Sequence, residues 1–199
     1  TCVLGVPTLF EALISNHNIK NLDLSNLKYV VSGGDMLSPS LEENINAYLK
    51  SHKSSAHITQ GYGLSEALAA VCLAFDDVHK TGSIGIPFPS NHVKIIDQST
   101  RKTVEYGTIG EIVINSKALM MGYLNDEAET NAALQIHEDG HVWLHTGDLG
   151  YMDKDGKYHD FSEETEYSKL IENYNYLQFN NMFDNSSKIT SLFEVPKSN

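Results

Sequence analysis

Arginine is nearly missing from this 199-residue chain, where Arg101 stands alone. Lys and Arg together number 14 against 26 Asp and Glu, a formal charge of −12. That balance excludes the basic face by which proteins bind nucleic acid or anionic lipid, so any polyanionic ligand must be held by local donors. Cysteine is equally scarce. Cys2 and Cys72 make no disulfide framework and have no partner at metal-ligand spacing, so a reducing, cytoplasmic compartment is expected. The longest apolar run, residues 67–75, is nine residues, too short for a transmembrane segment. No charged flank or cleavage site marks a signal peptide. Glycine stops early: all 14 lie at or before Gly156, leaving none in the last 43 residues. The chain opens on Thr1 rather than Met, and its first residues read as an internal piece of a longer polypeptide.

What is present suffices for a core, with 41% hydrophobic and 20% charged residues. Pro7 suits a first helical turn, and Leu9, Phe10, Leu13 and Ile14 recur at helical spacing, predicting a helix over 7–16. Leu27, Tyr29, Val30 and Val31 form a short strand ending at Ser32-Gly33-Gly34-Asp35, where two glycines let the backbone turn or approach a ligand. Ser38-Pro39 reads as a cap and first helical residue, with Leu41, Ile45, Tyr48 and Leu49 on one face. A strand over 56–60 follows and is expected to break at Gly61. After Gly85 the texture changes to short strands and turns, at 92–97, 110–115, 141–145 and on both sides of Asp153-Lys154-Asp155-Gly156, interrupted by one helix near 126–134. From Ser162 the composition turns Asn-rich. Tyr167, Leu170, Ile171 and Tyr174 allow one amphipathic helix, and 162–199 is taken as a foreign or mobile tail.

Two segments carry chemistry. Gly61-Tyr62-Gly63-Leu64-Ser65-Glu66 follows a predicted strand, the place where open α/β sheets bind ligands. It offers an aromatic plate, a hydroxyl and a carboxylate, suited to base stacking, phosphate contact and Mg²⁺ coordination. The bland reading makes Tyr62 a core aromatic and Ser65-Glu66 a helix start. Thr146-Gly147-Asp148-Leu149 places a carboxylate at a strand turn, where it can accept from both hydroxyls of a ribose or form an ordinary Asx turn.

Together with Ser32-Gly33-Gly34, Gly82-Ser83-Ile84-Gly85-Ile86-Pro87, Gly110-Glu111-Ile112 and Met121-Gly122-Tyr123, these segments resemble the adenylate-forming superfamily, specifically AMP-forming acyl-CoA synthetases. The resemblance runs colinearly to about residue 161. It implies an α/β fold, a partial adenylate-forming large domain. Residues 1–89 would be the later part of its α/β subdomains, 90–161 its distorted β-barrel, and 162–199 a divergent tail. It implies ATP and AMP as nucleotides, Mg²⁺, CoA as co-substrate, and a small-molecule carboxylic acid, with a fatty acid mildly favoured. It places Tyr62 on adenine, Ser65 at the α-phosphate, Glu66 on Mg²⁺ and Asp148 on the ribose. Gly33 and Gly34 would lie beside adenine and the acyl group, Gly61 at the mouth of the acyl pocket, and Gly63 within the nucleotide loop.

The departures from that pattern are specific. A phosphate loop ending in Pro-Lys-Gly, the Gly-Arg step after Phe161, and the small domain with its catalytic lysine are not in the sequence. The chain alone is therefore expected to be inactive, a truncated or degenerate piece. Three other readings compete with this one. A carrier-protein-loading adenylation domain shares the same motifs. A serine hydrolase would use Ser65, Asp148 and His159 in chain order, but Ala67 stands where the closing glycine belongs. A calcium loop at Asp153-Lys154-Asp155-Gly156 lacks its first and twelfth acids, so a hairpin turn is expected there. The nine histidines show no metal spacing and read as scattered or packed imidazoles.

Overall fold

The computed structural model describes residues 1–161 except 17, 18, 20, 76 and 77. The reading of 162–199 as a tail with one amphipathic helix lies outside the described residues.

Two sheets of five strands each are ordered by the local signals read above. In the first, β1 (Cys2–Gly5), β2 (Tyr29–Ser32) and β3 (Ile58–Tyr62) run parallel. Parallel neighbours need crossover connections, and α1 (Pro7–Ser15) and α2 (Pro39–Ser51) provide them. Pro7 opens α1 as its missing N–H predicts. Ser38 caps α2: its Oγ accepts from the Leu41 N–H at 3.3 Å, with Pro39 beginning the helix and Glu42 in its first turn. Phe10 and Ile45 from the helices bury against Val30 and Ile58 on the sheet. Two short antiparallel strands, β4 (Cys72–Leu73) and β5 (Ile86–Pro87), complete this sheet.

The second sheet is antiparallel, in the order β10-β9-β7-β6, with β8 (Leu134–Ile136) also on β9. Its members are β6 (Asn91–Ile96), β7 (Gly110–Ser116), β9 (Val142–Met152) and β10 (Tyr158–Phe161). Asp126 caps the intervening α3 (Glu127–Ala133), accepting from the Glu129 N–H at 2.9 Å. The sheets are stitched together. The Ile84 N–H donates to the Tyr158 carbonyl at 3.0 Å, and the Tyr158 N–H returns to the Gly85 carbonyl at 3.0 Å. Beneath that seam Tyr62, Val71 and Ile84 share a core with Ile95, Ile112 and Leu144.

The mixed α/β architecture is the one expected, with local differences. β3 does not break at Gly61 but continues to Tyr62, because Gly61 pairs with Leu73 of β4. The strands expected over 141–145 and before Asp153 are one continuous strand, Val142–Met152. Ser65-Glu66 starts a single 3-10 turn rather than an α-helix. The apolar run 67–75 is a turn and a two-residue strand, with Leu68 exposed. No described helix is long and apolar enough to cross a membrane.

Candidate functional site

The C-terminal ends of the parallel strands β1 to β3 converge on a cleft of about 270 Å³. Five of the residues singled out in the sequence line it: Gly33, Gly34, Gly61, Tyr62 and Gly63. The rest of the wall is apolar, including Leu4, Val31, Leu73 and Phe88. Glycine is required at Gly63 for space, since a Cβ there would overlap the Ala69 carbonyl. A Cβ on Gly33 would come to 3.3 Å from the Gly61 carbonyl, so a bare backbone also keeps β2 close to β3 at the cleft floor.

Tyr62 ends β3 with its ring buried, and its hydroxyl donates to Asp148 Oδ2 at 2.5 Å. Burial first, then the Asp148 carboxylate and the hydrogen bond to it, push the phenol far above its ordinary range. Tyr62 therefore remains a neutral donor.

Asp148 is not in a turn between strands, as the sequence suggested. It lies inside β9, at an irregularity of pairing with β7. Glu111 pairs with Leu149 and Val113 with His145, so Thr146, Gly147 and Asp148 all stand opposite Ile112. A bulge bends a strand and re-aims its side chains, and Gly147 supplies the positive φ of 78° needed here. Its loosened backbone groups are satisfied locally. Thr146 Oγ1 donates to the Ile112 carbonyl at 2.7 Å and accepts from the Asp148 N–H at 3.1 Å.

Ser65 is exposed at the start of the 3-10 turn and Glu66 is half-buried; neither lines the cleft wall with the glycines. Glu66 Oε1 accepts from the Tyr123 hydroxyl at 2.9 Å, and its carbonyl accepts from the Met120 N–H at 2.7 Å. The bond to Glu66, then burial, raises the Tyr123 phenol. Among the described residues no three His, Cys, Asp or Glu side chains form a metal cluster. The residues present fit a Mg²⁺ held by one protein carboxylate, with phosphate and water completing the shell, rather than an all-protein cage.

The hydrolase arrangement is not formed. His159 is buried on other partners, Nδ1 to the Gly82 carbonyl at 3.0 Å and Nε2 to Asp153 Oδ2 at 3.1 Å, with its ring stacked on Tyr151. Asp153 Oδ1 accepts from the Asp155 and Lys157 N–H groups, which makes its loop the expected hairpin turn. The histidines are not all scattered, however. His137 Nε2 meets His145 Nε2 at 3.0 Å, and His145 Nδ1 meets Glu111 Oε2 at 3.0 Å. Sequence reasoning missed this chain, as it missed the partner of Glu66: Glu111 and His145 are 34 positions apart, and only strand pairing joins them.

Residues 1–124 match the family described as AMP-binding enzyme. The chain belongs to that family. The AMP-binding match covers both the glycine-lined cleft and Glu66 with Tyr123. A luciferin 4-monooxygenase of Luciola mingrelica is 38% identical over 155 residues, 78% of this chain and 27% of that protein. The 4-coumarate–CoA ligase 3 of Arabidopsis thaliana is 36% identical over 155 residues, 75% of this chain and 26% of that protein. The solved structure of a long-chain-fatty-acid–CoA ligase from Archaeoglobus fulgidus superposes with a TM-score of 0.75 at 24% identity, covering 88% of this chain and 36% of that one. The fold of this AMP-binding chain is thus a partial adenylate-forming domain. It spans about a quarter of the length of the curated relatives it matches.

Proposed function

We propose that this chain carries the nucleoside-binding half of an AMP-forming acid:CoA ligase site. The carrying observation is the hydrogen bond to Asp148 from Tyr62, a residue of the glycine-lined cleft. In this reading the Tyr62 ring packs on adenine and the Asp148 carboxylate accepts from the ribose diol. Asp148 has the capacity, since a carboxylate offers about four acceptor positions and Tyr62 takes one. Gly33 and Gly34 lie along adenine and the acyl chain, and Gly61 opens the acyl side. Gly63 lets the loop close over the nucleotide.

The reaction is a double displacement. The substrate carboxylate attacks the α-phosphorus of ATP and pyrophosphate leaves, giving an acyl-AMP; a CoA thiol then attacks the acyl carbonyl and AMP leaves. Ser65, exposed at its turn, donates to the α-phosphate. Glu66 holds Mg²⁺, which when bound offsets the negative charge of the phosphates. The apolar cleft wall suits an apolar acid, aromatic or aliphatic, fatty acids included. Donors for the β- and γ-phosphates are not supplied by these residues. Each such donor is typically worth roughly 2.7–4 kcal/mol in the transition state, so the 199-residue chain binds nucleotide without turning it over.

Calorimetric titration of this chain with AMP tests the reading, with ATP–pyrophosphate exchange run alongside. Saturable AMP binding, weakened by removal of the ribose hydroxyls, and no exchange are expected. Absence of AMP binding would overturn the assignment of the cleft, and measurable exchange would overturn the inactivity of the chain.

A further inference from the structure

We infer that Glu111, together with His145, is the positioning device that sets Asp148. The functional half of this inference rests on the nucleotide reading above; the structural half does not.

A bulge that places three residues opposite one leaves backbone donors and acceptors without ladder partners, and here they find side-chain partners within the protein although Gly147 at the apex is itself exposed. Thr146 deals with two such groups, the Ile112 carbonyl and the Asp148 N–H. The remaining N–H of the bulge apex, Gly147, donates to Glu111 Oε1 at 3.2 Å. The other oxygen of the same carboxylate, Oε2, faces His145 Nδ1 at 3.0 Å. Glu111 is 7% exposed, so its carboxylate spans the bulge from base to apex in a place largely shut off from water. It is a buried acid whose two oxygens are both committed to one loop.

That commitment has a directional consequence. An imidazole nitrogen facing a carboxylate carries its proton, so His145 is an Nδ1–H donor. Its Nε2 then meets the His137 Nε2, and one proton lies between the two. His137, on the strand end after β8, thereby props His145 from the solvent side, and the ring of His137 also stacks on Trp143. Asp148 is consequently fixed from both ends. Its backbone is held through Thr146 and, one residue earlier, through the Glu111 clamp on Gly147; its carboxylate is held by Tyr62. Glu111 touches neither nucleotide nor acid in this reading. It acts through Gly147 on the direction in which Asp148 presents its oxygens.

A merely structural role and a positioning role differ in what they change. Loss of a structural residue weakens every ligand alike, whereas loss of a positioning residue weakens selectively the ligand group that Asp148 reads. The test therefore compares AMP with 2′,3′-dideoxyadenosine monophosphate on wild type, Glu111→Ala and Glu111→Gln, and follows Gly147 and Asp148 amide exchange by NMR in the same three proteins. In Glu111→Ala both amides are expected to exchange at least 10-fold faster, and the preference for AMP over the dideoxy nucleotide to fall at least 5-fold. Glu111→Gln keeps a carbonyl oxygen for Gly147, so amide protection and most of the preference return, while His145 changes tautomer in its ¹⁵N spectrum because it now faces an amide. Equal losses for both nucleotides in Glu111→Ala, or unchanged amide protection, would overturn the inference. Should wild type fail to distinguish the two nucleotides, the ribose role of Asp148 fails, and the amide exchange in Glu111→Ala alone decides the clamp.

Discussion

The Tyr62 hydroxyl and Asp148 Oδ2 meet at 2.5 Å although the residues are 86 positions apart and lie on different sheets. The pair joins the end of a parallel strand to a bulge in an antiparallel one. Tyr62 lines the glycine-lined cleft, so the hydrogen bond ties Asp148 to a residue of its wall.

Asp148→Asn removes the charge but not the size of this group. Hydrogen bonds to a charged acceptor are worth roughly 1.5–3 kcal/mol, so AMP affinity should fall about 10- to 100-fold. The dideoxy nucleotide should be nearly indifferent to the substitution. Calorimetry on the purified chain reads both, and equal losses would count against diol recognition.

Alkaline pH acts on the same pair. The Tyr62 phenol is raised above its ordinary 10.0, first by burial and then by Asp148, so the folded state holds a proton that the unfolded chain releases. Its stabilising contribution is complete below pH 10 and is lost as pH rises from there toward the raised value. Wild type should lose melting temperature as pH rises above 10, and Tyr62→Phe should flatten that decline. An identical decline in both proteins would assign the effect to other groups.

Asp153 gives the opposite sign. Burial alone would raise its carboxyl, but hydrogen bonds from Lys80, the Lys157 N–H and His159 outweigh it and hold the group below its ordinary 3.8. The stabilisation is present above that value and is lost as pH falls through the lowered one. Asp153→Asn should cost about 1–3 kcal/mol near neutral pH and shrink the difference from wild type in acid. Denaturant melts at several pH values measure it.

Gly63→Ala places a methyl group against the Ala69 carbonyl, a backbone atom that cannot swing aside. Overpacking of this kind costs about 1–3 kcal/mol, and here it also pushes the loop out of the cleft. The expected result is a lowered melting temperature with AMP binding lost more completely than stability. Full binding in the variant would mean that the loop does not close on the nucleotide.

Glu66→Gln keeps an acceptor for the Tyr123 hydroxyl while removing the charge. Stability should change by less than about 0.5 kcal/mol. Enhancement of ATP binding by Mg²⁺, measured by titration with and without the ion, should disappear. If the ion still strengthens binding, Glu66 is not its ligand.

The parts of the fold that were legible are those with a local cause. Pro7 and Ser38-Pro39 announce α1 and α2, and short β-rich apolar runs mark β2, β6 and β7. The strands that escaped are β4 and β5, two residues each, and β8 with three, too short for any periodicity to register. The sequence divides β9 into a strand to His145 and another before Asp153, because Gly147 and Asp148 carry turn chemistry; in the structure that chemistry makes a bulge inside one strand. Gly33, Gly34, Gly61, Tyr62 and Gly63, from two motifs, line one cleft. The Glu111–His145–His137 chain was out of reach, because β7 and β9 must pair before those side chains meet. Ser65 and Glu66 are singled out by motif, but the Tyr123 contact of Glu66 depends on a segment 57 positions away.

The seam at Ile84, Gly85 and Tyr158 bears on how a ligand is met. Tyr62 belongs to one sheet and Asp148 to the other, and reciprocal backbone bonds lock those sheets at a common edge. If nucleotide binds as proposed, the entropy of bringing Tyr62 and Asp148 together is spent while the chain folds, not when nucleotide arrives. Such preorganisation lets a small set of contacts yield measurable affinity. It also means that a substitution at Ser83, whose hydroxyl donates to the Tyr158 carbonyl at 2.8 Å, can loosen recognition at a distance without touching a single ligand atom.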